Sequence, residues 1–345
     1  MTYSRFCLPT NRIWNKSLVI SSNLHKRGRR PRCLASWSFA LRPLVPVRWT
    51  ELGSAGGFSG STIWRGDGAT GKPILALKAW PEEMTAERLN HIHDWIQQAK
   101  HLSFVPTVVR TDRGGTVHVE GSRVWDLTRW MPGEPLLNGT HDRALLEKAS
   151  AALAALHRAW QPPKRSLAPM PAVIRRLRIL DEWNATTPRV EFDWLQRGVN
   201  AAVRLLEPAR RALRPWLAHP LPIQPCLCDI HREHMLFVRG EVTGILDYGA
   251  AKEDHVAVDL ARLLGDAVED DDPRFQQGVN AYLAAGGILD VPSTFIRLLD
   301  RTGIICAMLG WAQRLGDAQI KTADAGAVQH RVARLTARLE RISEF

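Results

Sequence analysis

The chain lacks any run of the ~20 apolar residues that a membrane helix needs, and no apolar core follows its basic start as a secretory signal requires. These two absences predict a soluble, cytoplasmic protein with no membrane partner. Cysteine is scarce too: five residues, an odd number, scattered at positions 7, 33, 226, 228 and 306. That pattern argues against a disulfide framework. Cys226 and Cys228 also lack the second pair and the histidine spacing of a zinc site, so they read as small buried apolar residues.

Acid is missing from the first fifty residues, which hold ten Lys or Arg and no Asp or Glu. The formal net charge of +11 therefore belongs to an N-terminal extension, and the remaining chain, with 36 basic and 35 acidic residues, is nearly neutral. Residues 1–48 are predicted to be a disordered basic extension, densest from His25 to Arg32. The same composition suits an arm for anionic surfaces or an organelle transit peptide. The neutral body does not call for a nucleic-acid partner.

With 45% hydrophobic and 23% charged residues, the 345-residue chain can bury two proper cores. From Trp49 to Trp130, short apolar runs alternate with turn signals such as Gly66-Asp67-Gly68 and Arg113-Gly114-Gly115, interrupted by one helical pattern from Thr85 to His101. The reading is a small antiparallel sheet with one helix. After Met131-Pro132-Gly133 the pattern turns helical: 142–160, 170–183, 192–216, 273–285, 292–315 and 325–342 carry apolar residues at three and four spacing. A strand-rich stretch, Leu227 to Asp247, lies among them.

Chemistry concentrates in three places. The run Leu52 to Ser61 contains Gly53, Gly56, Gly57 and Gly60, and such a hairpin lets backbone N–H groups approach phosphate oxygens; it equally suits a plain flexible turn. Lys78 lies in the apolar strand Leu75 to Trp80 and needs a charged partner or a phosphate unless it sits on a solvent face. Glu87 is the preferred partner, with Glu82 and Glu83 as alternatives. The third segment, Cys228-Asp229-Ile230-His231-Arg232-Glu233-His234, leads through a turn at Arg239-Gly240 into Ile245-Leu246-Asp247-Tyr248-Gly249. A loop carboxylate, a ligand five residues on and a second carboxylate after a short strand pair are what phosphoryl transfer to a hydroxyl requires.

Over residues 49–320 this order of motifs resembles the aminoglycoside phosphotransferase and choline kinase group, relatives of the protein kinases. The resemblance implies an α+β, two-lobe protein kinase-like fold, with a nucleotide-binding lobe at 49–130 and a mainly helical lobe at 131–345. It also implies ATP and Mg2+, or Mn2+, as cofactors and a small-molecule hydroxyl as acceptor. In its terms Asp229 is the catalytic aspartate, and Asp247 and His234 are the metal ligands. Gly56, Gly57 and Gly60 cover the nucleotide, and Lys78, oriented by Glu87, holds its phosphates. Asp259, in Val258-Asp259-Leu260-Ala261, ties the catalytic loop structurally. Two positions depart from the family pattern: Leu227-Cys228-Asp229 stands for His-Gly-Asp, and His234 stands for Asn. They prompt a second reading, a nucleotide-binding pseudokinase acting through conformation or a partner. Magnesium prefers oxygen ligands, so a nitrogen at 234 points to manganese, to phosphate binding or to a structural role. The acidic run Glu269 to Asp272 reads as a solvated loop at a helix start, or as a receiver for an amine-bearing acceptor.

Overall fold

The structure is a computed structural model that describes residues 32–37, 46–53, 60–136, 142–183, 190, 192–316, 325–343 and 345. The first lobe is a five-stranded antiparallel sheet in the order β1-β2-β3-β5-β4. Its strands are β1 (Arg48–Gly53), β2 (Thr62–Asp67), β3 (Pro73–Ala79), β4 (Val117–Glu120) and β5 (Arg123–Arg129). Beside them, Val108 makes an isolated antiparallel bridge to Thr128.

Alternation along β3 gives the sheet two different faces. Leu75 and Leu77 point one way and Lys78 the other, and Lys78 stands opposite Asp126 of β5. Helix α1 (Ala86–Gln98) packs on the Lys78 face; the Thr85 hydroxyl caps it by accepting from the Arg88 N–H at 3.1 Å. Its buried stripe of Leu89, Ile92, Trp95 and Ile96 joins Val124 in the core. His93 crosses to β5, with Nε2 3.0 Å from Asp126 Oδ2.

The opposite face is covered by a segment assigned from sequence to the disordered extension. Arg32–Trp37 forms a 3-10 helix whose Cys33, Leu34 and Trp37 are buried against Leu75, Leu77 and Leu127. Trp37 is fully buried, its Nε1–H donates to the Val109 carbonyl at 3.1 Å, and the Asp112 N–H donates to the Ser36 carbonyl at 2.8 Å. Burial of Leu34 and Trp37, with the small Cys33, orders this piece, since a sheet face of leucines otherwise meets water.

Met131 to Gly133 carries the chain into the second lobe across a hairpin formed by β9 (Met235–Val238) and β10 (Glu241–Ile245). The short β6 (Glu134–Pro135) pairs with β9. Only glycine fits at 133: φ is +122°, and a Cβ there would meet Thr243 Oγ1 at 2.6 Å and the Phe237 carbonyl at 2.8 Å. The hairpin turn, Arg239-Gly240, has both φ angles positive, as a two-residue connection demands. A second small sheet joins β7 (Ser166–Ala168), β8 (Leu221–Cys226) and β11 (Lys252–Asp254).

The helices of this lobe are α2 (Arg143–Ala159), α3 (Pro171–Glu182), α4 (Asp193–Arg204), α5 (Leu206–Leu213), α6 (Ala257–Val268), α7 (Asp272–Ala284), α8 (Ser293–Gly316) and α9 (Ala325–Arg341). The single pattern read over 192–216 is broken after Arg204, because Pro208 cannot donate the hydrogen bond a continuous helix needs there. The apolar periodicity does not reveal α6, since nine of its twelve residues are buried. No described helix is long and apolar enough to cross a membrane. Replacing Trp37 with Ala is expected to cost about 3–5 kcal/mol, the usual loss for a buried tryptophan, and thermal unfolding of the full chain checks it.

Candidate active site

The site is assembled around the turn that follows β8. The backbone N–H groups of Leu227 and Cys228 both donate to the Asp259 carboxylate, at 2.7 and 2.6 Å. Asp259 is fully buried on α6, and its Oδ2 also lies 3.0 Å from His157 Nε2. A carboxylate only accepts, so His157 donates through Nε2 and its Nδ1 accepts from the Tyr282 hydroxyl at 2.8 Å. Cys228 is held at φ +63°, a conformation costly for a side-chain-bearing residue, and it aims the next residue outward.

That next residue is Asp229, whose side chain is about half exposed. Its Oδ1 accepts from Arg262 Nη2 at 2.8 Å and Nε at 3.2 Å. Arg262 lies one turn beyond Asp259 on α6, so one helix anchors both the loop backbone and the loop carboxylate. His231, with Nε2 4.0 Å from Asp229 Oδ2, is buried. Burial, then the charges of His234 and Arg262, push its pKa down to about 3, so it is neutral near pH 7.

The second carboxylate, Asp247, follows β10, also with positive φ, at +58°. Its Oδ1 accepts from Lys78 Nζ at 3.2 Å and from the Gly249 N–H at 3.4 Å. Burial pushes its pKa up, but Lys78, His234 and the Gly249 N–H outweigh this and hold it below the usual carboxylate range. Lys78 Nζ also lies 3.7 Å from the centre of the Trp80 ring. A Cβ at position 249 would come within 2.7 Å of that ring, which accounts for the glycine of Asp-Tyr-Gly.

His234 joins the two carboxylate segments. Its Nδ1 is 3.1 Å from the Asp229 carbonyl oxygen, its carbonyl accepts from the Leu246 N–H at 2.8 Å, and its Nε2 is 3.9 Å from Asp247 Oδ2. The carbonyl can only accept, so Nδ1 carries a proton, and Nε2 is the nitrogen turned toward Asp247.

Asp229, His231, His234, Asp247 and Lys78 thus come together as read from sequence, but Glu87 does not. It is exposed and makes no ion pair among the described residues, because the buried stripe of α1 sets the helix rotation and leaves it at the solvent edge. Arg88 is the α1 residue that reaches the Asp247 segment, donating to the Gly249 carbonyl at 3.2 Å. Gly60 has φ +74°, while Gly56 and Gly57 lie outside the described residues. Sequence reading missed Arg262 and Asp266. Both lie on the face of α6 that starts at Asp259, a polar i, i+3, i+7 stripe on an apolar helix that was the available signal.

The acidic run is largely exposed and starts α7, as read, but its carboxylates already have partners. Glu269 pairs with Arg334 and Arg341, Asp270 with Arg338 and Arg341, and Asp272 with Arg297. Asp271 caps α7 by accepting from the Arg274 N–H. Among the described residues, His157, Cys226 and Asp259 bring candidate metal-ligand atoms within 4.8 Å of one another. Each already has a hydrogen-bonding role there, and burial keeps the Cys226 thiol protonated, so the group is a structural network.

The two lobes, with a lysine on the sheet and two carboxylates on a loop and hairpin facing it, define a small-molecule phosphotransferase. The chain belongs to the phosphotransferase enzyme family, whose sequence model matches residues 52–292. Among solved structures it is similar to a spectinomycin phosphotransferase in complex with ADP and spectinomycin, with a TM-score of 0.59 and 12% identity over 82% of this chain and 90% of that one. A choline/ethanolamine kinase family protein from Mesorhizobium loti gives 0.56 and 18% over 83% and 87%. An amicoumacin kinase in complex with AMP-PNP, Ca2+ and its antibiotic gives 0.56 and 13% over 82% and 86%. These likenesses establish the shared kinase-like fold. No curated protein matches the chain in sequence.

Replacing Asp259 with Ala strands two buried N–H groups and His157, each costing about 1–3 kcal/mol, so a loss of several degrees in Tm is expected. Asp229→Asn, half exposed, is expected to leave Tm near wild type in the same calorimetric scan. The acid limb carries a further signature. His231 and His255, with pKa pushed down by burial to about 3 and about 4, stay neutral when folded and protonate below pH 6.5 when unfolded. Stability is therefore lost as pH falls from 6.5, on the order of 1 kcal/mol per pH unit and group. His255→Gln is expected to flatten the slope of Tm against pH between 6.5 and 4.5.

Proposed function

We propose that this enzyme transfers the γ-phosphoryl group of ATP to a hydroxyl of a small molecule, in the cytoplasm, with the lobe boundary at Met131. The observation that carries this reading is the pair Asp229 and Asp247, each set by a positive-φ backbone and bridged by His234, with Lys78 reaching the second carboxylate from the sheet.

In this reading Asp229 orients the acceptor hydroxyl and takes its proton, and Arg262 fixes the carboxylate's direction. The acceptor oxygen bonds to the γ-phosphorus, the bond to the bridging oxygen breaks and ADP departs. Lys78 holds phosphate oxygens, and the glycine-rich run before Ser61 lets backbone approach them. Asp247 and His234 would hold the divalent metal, which supplies positive charge to the phosphates when bound. The donor set fits such an ion, since His234 Nε2 and an Asp247 oxygen, both able to ligate, face one another at 3.9 Å. A nitrogen beside a carboxylate favours Mn2+ over Mg2+ more than an all-oxygen site does.

Thermal unfolding with ATP in Mg2+ or Mn2+ tests the reading. A ligand at ~100 times its Kd adds ~2.7 kcal/mol, a rise of several degrees in Tm. The wild type is expected to show that rise, more strongly in Mn2+, and Asp247→Ala to lose it. Asp229→Asn is expected to keep the rise while losing transfer by about 10²–10⁴-fold. His234→Asn is expected to shift the metal preference toward Mg2+. A wild type that responds in neither metal would sink the proposal.

A further inference from the structure

Helix α1 carries two acids, Glu87 and Asp94; both are exposed, and neither makes an ion pair among the described residues. The helix offers Lys78 no carboxylate, and Lys78 meets Asp247 directly at 3.2 Å. Yet α1 still reaches the Asp247 segment, through neutral partners at two points two turns apart. Near its start, Arg88 Nη2 donates to the Gly249 carbonyl at 3.2 Å and lies 3.5 Å from the Ala251 carbonyl oxygen. Further along, the Trp95 carbonyl accepts from Trp160 Nε1 at 2.7 Å, and the Trp160 ring meets the buried Tyr248 ring edge-on at 6.0 Å. Both contacts close on the short 3-10 turn Tyr248–Ala250, for which Asp247 is the cap.

The Arg88 contact reaches the Asp247 carboxylate through a single residue. Gly249 uses both of its backbone polar groups: its N–H donates to Asp247 Oδ1 at 3.4 Å, and its carbonyl accepts from Arg88. The Trp80 ring closes the other side of Gly249, at 2.7 Å from where a Cβ would stand. Asp247 Oδ1 is therefore taken by Lys78 and by the Gly249 N–H, and Oδ2 is the oxygen turned toward His234 Nε2 at 3.9 Å. Rotation of the carboxylate would break both contacts on Oδ1, so the donors there decide which oxygen faces the histidine. A guanidinium suits the outer end of this chain of contacts. The last carbonyls of a helical turn have no helical partner and carry negative partial charge. No carboxylate competes for Arg88 among the described residues.

We propose that Arg88 is a positioning residue: it fixes Gly249, and through Gly249 the Asp247 oxygen that faces His234. Helix α1 thus serves the metal site by a clamp on backbone carbonyls, where the family pattern sets a helix acid against the sheet lysine. This rests on the phosphotransferase reading for Asp247 and His234 as metal ligands.

The test titrates the full chain with Mn2+ alone, following the paramagnetic signal of the free ion, and then adds AMP-PNP, for wild type, Arg88→Met, Arg88→Lys and Glu87→Gln. Arg88→Met keeps the aliphatic stem and removes the donors; the side chain is exposed, so its Tm without ligands is expected to stay near wild type. Its Mn2+ affinity is expected to fall about 10–100-fold, the usual cost of losing a group that orients a metal ligand. Arg88→Lys, which retains a cationic donor, is expected to recover most of that loss, and Glu87→Gln to bind Mn2+ as wild type does. A fall in Tm with unchanged Mn2+ affinity would mark Arg88 as merely structural and overturn the proposal. A loss that lysine does not recover, or one as large in Glu87→Gln as in Arg88→Met, would overturn it too. So would a wild type that takes up no Mn2+, since Asp247 would then hold no ion to be positioned. A wild type that binds Mn2+ but not AMP-PNP would strike the phosphotransferase reading instead, and the Mn2+ titrations of the variants would still decide the role of Arg88.

Discussion

The site depends on the buried carboxylate of Asp259. It accepts both N–H groups of the turn after β8 and the imidazole of His157, so the strained backbone at Cys228 is held where it can present Asp229. A buried charge without partners would be expensive, but this one has three donors, and the geometry they enforce is the return on its burial. Arg262, on the same helix, then takes hold of Asp229 itself. One fully packed helix therefore sets the position of the loop and the direction of its side chain.

A second constraint joins the lobes. Lys78 extends from the sheet to Asp247, stacks on Trp80 and meets the segment whose Gly249 lies against that same ring. Arg88 of α1 grips the Gly249 and Ala251 carbonyls beside it. The sheet can present Lys78 because its other face is sealed by Leu34 and Trp37, leaving the charged face to the cleft. His234 links the two halves of the hairpin through a carbonyl contact, a backbone hydrogen bond and a ring nitrogen turned toward Asp247. A histidine in a family position usually filled by asparagine thus has a defined geometric role here.

Charge outside the cleft follows a different logic. The acidic corner between α6 and α7 is tied by arginines of α8 and α9, which orders the far end of the lobe. Near Asp229 the pairing continues: Arg262 holds Asp229, Arg175 holds Asp254 and Arg232 holds Asp266.

Much of this was legible in the chain itself. Apolar alternation and turn residues determined the small sheet and α1, three-and-four spacing determined most of the helices, and the order from Lys78 through Asp229 to Asp247 determined the family and the two carboxylates. The periodic signals are local, carried by residues within a turn or a strand of one another, and the motif order is linear along the chain. Tertiary structure alone decided that Lys78 meets Asp247 rather than Glu87, since the rotation of α1 is set by what it buries. It alone decided that Arg32–Trp37 packs on the sheet, that Glu269, Asp270 and Asp272 are paired with arginines of α8 and α9, and that Arg262 holds Asp229. Those partners come from elements far apart in the chain, and no local pattern encodes which charges the packing of a core will bring together.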